Sequence, residues 1–237
     1  MTVAEIMTEL QAKGSGSIKN ILLKHGVKEP FFGVKVEYLK VIEKKIKKDY
    51  ALALELYSTG NADAMYLAAL IADDEQMTKE DLQTWAQMAE STNISSYAVP
   101  WVAAGSRYGF EMGMAWIDAK EEHIAIAGWS TLGGLVALKP DSELDIATFR
   151  KLLQRLSQTI HSARNREKQA MNGFIIAVGS YVTELSAEAV TIANAIGALT
   201  VDMNGTACKV PLAADYIKKA VDKGSLGKKK KKKKLKC

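Results

Sequence analysis

IAIAGWSTLGGLVAL (residues 124–138) and QAMNGFIIAVGSYV (169–182) decide the fold. Each spans about four helical turns, is nearly apolar around its whole circumference and is crowded with Ala and Gly. A surface helix carries one apolar stripe, whereas a helix that is apolar all round is enclosed by neighbours, and small residues let those neighbours come close. NADAMYLAALIADD (61–74) has the same character. More polar amphipathic segments alternate with these three, and the last two lie about 45 residues apart, which suits stacked helix pairs of the HEAT type. The expected fold is all-α, an α-solenoid of HEAT-like helical repeats, with a compact helical bundle as the alternative.

Helix signals continue in both directions, and no segment shows the alternation of a strand. Residues 2–13 and 16–25 read as two helices, the second ended by Gly26. VKVEYLKVIEKKIKKDYALALELYS reads as one amphipathic helix or as two with a break near Asp49. Thr78 followed by Asp81 has the spacing of a capping box, and Gly197 is placed to end the helix at 186–197. The segment around TACKVPLAADYI (206–217) reads as a distinct terminal cap. The expected organisation is a solenoid over 1–200, a cap over 201–223 and a tail over 224–237.

That tail holds eight lysines, Lys228, Lys229, Lys230, Lys231, Lys232, Lys233, Lys234 and Lys236, out of 32 basic residues in a chain of net charge +5. The remaining 24 basic residues face 27 acidic ones, so the body is mildly acidic. Like charges with almost nothing apolar to bury repel one another, and the tail is expected to be disordered and solvated. A polycation of this kind attracts phosphate backbones through counterion release. In the body, HSARNREK (161–168) places Arg164, Arg166 and Lys168 just before a helix, where side chains and free N–H groups together suit a phosphate. Lys44 and Lys48, one turn apart, form a second basic stripe, with a plain solvated face as the alternative for both.

Metal and thiol chemistry find little support. Cys208, Cys237, His25, His123 and His161 are scattered, no Walker-type loop occurs, and no cofactor is expected. Two cysteines cannot build a disulfide framework, the N-terminus lacks the layout of a secretion signal, and no apolar run reaches bilayer length. The chain is expected to be cytoplasmic, with no membrane contact.

The run GVKEPFFGVKVEYLKVIEKKIKKDYALALELYSTGNADAMYLAALIADDEQMTKEDLQTW resembles the N-terminal half of the AlkD-like DNA alkylation repair proteins, which are HEAT-like repeat DNA glycosylases. Its marks are Phe32-Gly33-Val34 ahead of the first long helix, the acidic residue leading the Ala-rich helix, and Leu82 with Trp85 in the next one. The resemblance covers roughly residues 15–185. It implies a concave face that holds duplex DNA around an alkylated purine, with a carboxylate near the sugar, a cation on the phosphate and tryptophans against the deoxyribose.

Those catalytic residues do not carry over. The family's tryptophan and aspartate fall on Ser96 and Pro100, or on Ser95 and Val99 after a one-residue slip; the arginine falls within HIAIAGWSTLG, which has none; the second tryptophan falls near Asn172 and Gly173. The catalytic residues are therefore unknown, and Asp118, Glu121 and Glu122 stand as substitutes for the missing carboxylate. Tyr97, Trp101, Arg107, Tyr108 and Trp129 remain as candidates to line a DNA backbone, against the alternative that the tryptophans are core. The expected function is binding of damaged or distorted duplex by a monomer, with alkylpurine excision open. A non-catalytic scaffold for a protein partner is the alternative.

Overall fold

The computed structural model describes residues 1–236, apart from the side chain of Lys233, and every regular element in it is helical. Cys237 and the Lys233 side chain lie outside the described residues. The chain opens with α1 (Val3–Lys13) and α2 (Gly16–Lys24). Helices α3 (Val36–Ile46), α5 (Ala62–Ile71), α7 (Val99–Gly105), α9 (Glu122–Leu138), α11 (Asn165–Tyr181) and α13 (Ala213–Asp222) touch one another in succession and form an inner row. Behind them α4 (Tyr50–Ser58), α6 (Lys79–Met88), α8 (Gly109–Trp116), α10 (Ile146–Thr159) and α12 (Ser186–Ile196) form an outer row. This is the expected HEAT-like arrangement of helix pairs.

Local chemistry sets the boundaries. The Thr78 hydroxyl accepts from Asp81 N while the Asp81 carboxylate accepts from Thr78 N, the reciprocal cap that its spacing predicts. Asp49 caps α4 by accepting from Leu52 N at 3.0 Å, which makes the break between α3 and α4 real. Gly197 ends α12 at φ +66°. Pro100 is the second residue of α7 and follows the π-turn with no break in the helical run. It lacks an N–H and its ring crowds the preceding turn, and residues Ile94–Ala98 open into a π-turn ahead of α7.

Two contacts lock the stack. Asp63, at the start of α5, is buried and its carboxylate accepts from Phe32 N (2.7 Å), Gly33 N (3.0 Å) and Val34 N (3.2 Å). The loop motif and the leading acid of the Ala-rich helix are thus two halves of one clamp. Further along, Gly128 of α9 lies so close to the end of α8 that a Cβ there would sit 2.6 Å from Ile117 N and 2.9 Å from Trp116 C. Backbone, not a movable side chain, occupies that space.

The segment 201–223 is less separate than its sequence suggests. Ile217 of α13 is fully buried in the core with Val178 and Ala189, so α13 completes the inner row.

The tail departs most from expectation. Instead of hanging free, it docks along the C-terminal ends of the inner helices and finishes in α14 (Lys232–Leu235), with Lys228, Lys230, Lys231, Lys232 and Lys234 still exposed. Gly227 N donates to Ser180 O, and Lys230 N to Ala137 O at 2.7 Å. Lys229 Nζ donates to Tyr181 O (2.6 Å) and Val136 O (2.9 Å) and pairs with Asp141 at 2.7 Å. Lys236 Nζ reaches Ala69 O (3.0 Å), Ala72 O (3.4 Å) and Asp74 (2.6 Å), while Leu235 packs where both halves of the core meet. The last carbonyls of a helix lack intrahelical partners and carry partial negative charge, so three helix ends and two carboxylates offset the self-repulsion of the lysines.

Gly128→Ala is expected to destabilise the protein by about 1–3 kcal/mol through backbone overlap, read as a lower midpoint in urea unfolding with an unchanged slope.

Candidate functional site

Inner helices α7, α9 and α11 leave a trough between them. The π-turn sets Ser96 and Tyr97 on its wall, followed by Pro100 and Trp101. Gly133, Gly134 and Ala137 of α9 and Ala170, Gly173 and Ala177 of α11 form a floor of small side chains. Arg166 stands at one end, and Lys230 with Leu235 of the docked tail at the other. No aspartate or glutamate is among its described lining residues.

Tyr97 is 51% exposed, and its ring lies 6.0 Å from that of Trp101, which Tyr66 buttresses edge-on at 5.3 Å. Trp101 is 7% exposed, so one edge of a buried ring reaches the trough. Trp129, expected to meet DNA, is 1% exposed: Phe174 packs against it at 5.3 Å and Arg155 lies over its ring from α10. It is core, and supports the floor from beneath. Trp116, at 2% exposed, is core as well.

The basic loop divides into separate roles. Arg164 is committed internally, donating through Nε to Glu167 at 2.7 Å and through its other nitrogens to the carbonyls of Lys120 and Ala119. The start of α11 is already capped, since Glu122 accepts from Arg166 N (2.7 Å) and Glu167 N (3.3 Å). No free N–H pair is left there for a phosphate. Arg166 donates through Nη1 to Gln169 (3.3 Å) and contacts Met203 Sδ, but its buried Nη2 has no hydrogen-bond partner among the described residues. A charged donor left unsatisfied is costly, and Arg166 is among the residues that line the trough. Lys168 is half-buried beyond the trough.

Other candidates fall elsewhere. Arg107 stacks over Tyr108 at 4.7 Å, outside the trough. Lys44 and Lys48 do not share a helical face, because α3 ends at Ile46 and Lys47 turns the chain at φ +67°. Lys48 pairs with Asp73 at 2.8 Å, and that bond together with Gln76 holds the Asp73 carboxyl down to about 2. Of the substitute carboxylates, Asp118 is paired with Arg155, Glu122 caps α11, and Glu121 lines a different hollow beside His123. Asp63 has its three backbone donors, and burial pushes its carboxyl up in pKa.

The positions onto which the family's catalytic residues fall nevertheless converge. Ser96, Pro100, Asn172 and Gly173 all line this one trough. Asn172 is tied to Pro211 O at 3.0 Å, and Gly173 is open, with nothing within 4 Å of where a Cβ would stand. Glycine inside a helix costs roughly 1 kcal/mol relative to alanine, and no packing neighbour at Gly173 requires it.

The chain is similar throughout to a solved structure from a family of proteins related to the HEAT-like repeat DNA glycosylases with affinity for branched DNA structures. The two align over 100% of each chain with a TM-score of 0.90 and 34% identity. The chain belongs to this family related to the HEAT-like repeat DNA glycosylases. The model of the DNA alkylation repair enzyme family matches residues 6–105, which hold the Asp63 clamp and end with α7. Two uncharacterized proteins, from Listeria innocua and Listeria monocytogenes, are each 29% identical to it over 225 residues, 93% of this chain and 97% of theirs. Among the described residues no single helix is long and apolar enough to cross a membrane.

Two signals were missed in the sequence: the tail lysines as structural groups, and Gly173 as an opening. The second was detectable, since a glycine in the middle of a long helix asks for a reason.

Gly173→Ala is expected to raise the melting temperature slightly, in line with a gain of about 0.5–1 kcal/mol, while weakening any ligand that lies along the floor. The Asp73 carboxyl, held below its usual 3.8, contributes stability above about pH 4 that is lost as pH falls towards 2. Unfolding followed across that window is expected to show a shallower acid loss in Lys48→Met than in the unsubstituted protein.

Proposed function

We propose that the trough holds the sugar-phosphate backbone of duplex DNA and that the protein binds DNA without excising a base. The observation that carries this is the composition of the trough: an exposed tyrosine, a glycine-opened floor and a cation at each end, with no carboxylate among the described lining residues. A backbone needs close approach to main chain and charge-assisted donors for its phosphate oxygens. Arg166 has a donor without a partner, and Gly173 permits the approach.

Excision asks for more. Positive charge developing on the deoxyribose is stabilised by a fixed negative group, an effect typically worth a few kcal/mol. Asp118, Glu121 and Glu122 are all engaged away from the trough or line another hollow. Family membership supports DNA as the ligand, and the relative's affinity for branched structures favours a distorted duplex over a straight one.

Fluorescence anisotropy with linear, branched and alkylated duplexes tests this across a salt series. Binding is expected to fall linearly in log–log form with salt, with no free alkylpurine released from the alkylated duplex. Arg166→Gln is expected to weaken binding several-fold and lower the salt slope by about one. Absence of DNA affinity at low salt, or release of base, would overturn the reading.

A further inference from the structure

The docked tail has two faces. Lys229 and Lys236 point inward: the Lys236 side chain is 13% exposed, its partner Asp74 is 4% exposed, and Gly105 leaves room for that carboxylate, since a Cβ there would overlap it. Lys228, Lys231 and Lys234 point outward without side-chain partners among the described residues, and Lys232 is held only by an exposed pair with Glu75 at 3.3 Å. Exposed pairs of that kind contribute little and exchange readily for another anion.

Lys230 lies on a ridge. On one side it borders the trough, with its Nζ 5.6 Å above the Tyr181 ring; on the other it borders a second groove with Lys232, Arg107 and Lys139. Two glutamates share that groove. Glu75 is taken by Lys232, and Glu143 by Lys139 at 3.6 Å, again an exposed pair. Arg107, which has no place in the trough, belongs to this second groove, where the docked tail adds Lys230 and Lys232 to Arg107 and Lys139.

We propose that this second groove is a phosphate-binding rim for a second duplex arm, so that trough and rim together grip the two backbones that diverge at a branch point. The inference rests on the DNA-binding reading above. A straight duplex presents its backbone along one continuous path, whereas two grooves meeting at the Lys230 ridge suit two backbones that separate from a common point. The tail is then not a diffuse polycation. Lys229 and Lys236 are positioning residues, and the outward lysines contact the second arm.

The test compares a four-way junction with a linear duplex of equal length, using the full chain. The triple variant Arg107→Gln/Lys139→Gln/Lys232→Gln is expected to weaken junction binding about tenfold and to lower its salt slope by about two to three, with less than a twofold change for the linear duplex. Lys236→Gln keeps every rim charge but frees the tail. It is expected to lose the junction preference and to be cut faster by trypsin within residues 228–236. Should the unpaired Asp74 unfold that variant, as melting curves would reveal, Asp74→Asn/Lys236→Gln removes both charges of the pair. Equal weakening of both DNAs by the rim variant, or full junction preference once the tail is freed, overturns the rim. Absence of binding to either DNA by the unsubstituted protein overturns the trough along with it.

Discussion

The backbone contact between α9 and the end of α8 sets the geometry of everything downstream. With no side chain at Gly128, the α9 backbone comes within contact distance of Trp116 and Ile117, and α9 then meets α7 on one side and α11 on the other. Interiors packed this tightly transmit position, because nothing at the contact can yield. The same two helices, α9 and α11, supply the glycines and alanines of the trough floor. At the other end, the Asp63 clamp ties the entry loop to α5, so the first repeats are held by three hydrogen bonds to one buried carboxylate.

On this frame the site is assembled by subtraction. Positions where the family places tryptophan and aspartate hold Ser96, Pro100, Asn172 and Gly173, and they still face one trough. What remains is shape and positive charge without a negative group, an arrangement suited to holding a backbone and poorly suited to stabilising a sugar cation. Trp129 illustrates how a candidate ligand contact turns into support: its ring carries the floor, pressed against Phe174.

Helix identity was legible because it depends on neighbours in sequence. The Thr78 and Asp81 cap, the break at Asp49 and the terminator Gly197 each follow from residues within a few positions of one another. The site was half legible. Tyr97, Trp101 and Arg166 do line the trough, whereas Arg164, equally basic and two residues from Arg166, is committed to Glu167 and two carbonyls. Local sequence offers Arg164 an acid three residues on, Glu167, where Arg166 has Gln169; the rest of the difference comes from the turn after α8, which brings the carbonyls of Ala119 and Lys120 to Arg164 alone.

Helical class, the alternation of buried and amphipathic segments, and the family resemblance are all encoded in periodicity and short-range order along the chain. The placement of the lysine tail depends instead on contacts between distant segments. Read locally, eight like charges repel and stay in water. In the folded chain, the C-terminal carbonyls of α5, α9 and α11 and the carboxylates of Asp74 and Asp141 form a negative seam drawn from segments far apart in sequence. Lys236 meets Asp74 across 162 positions, a separation at which charge pairing is set by the path of the solenoid and not by any pattern along the chain.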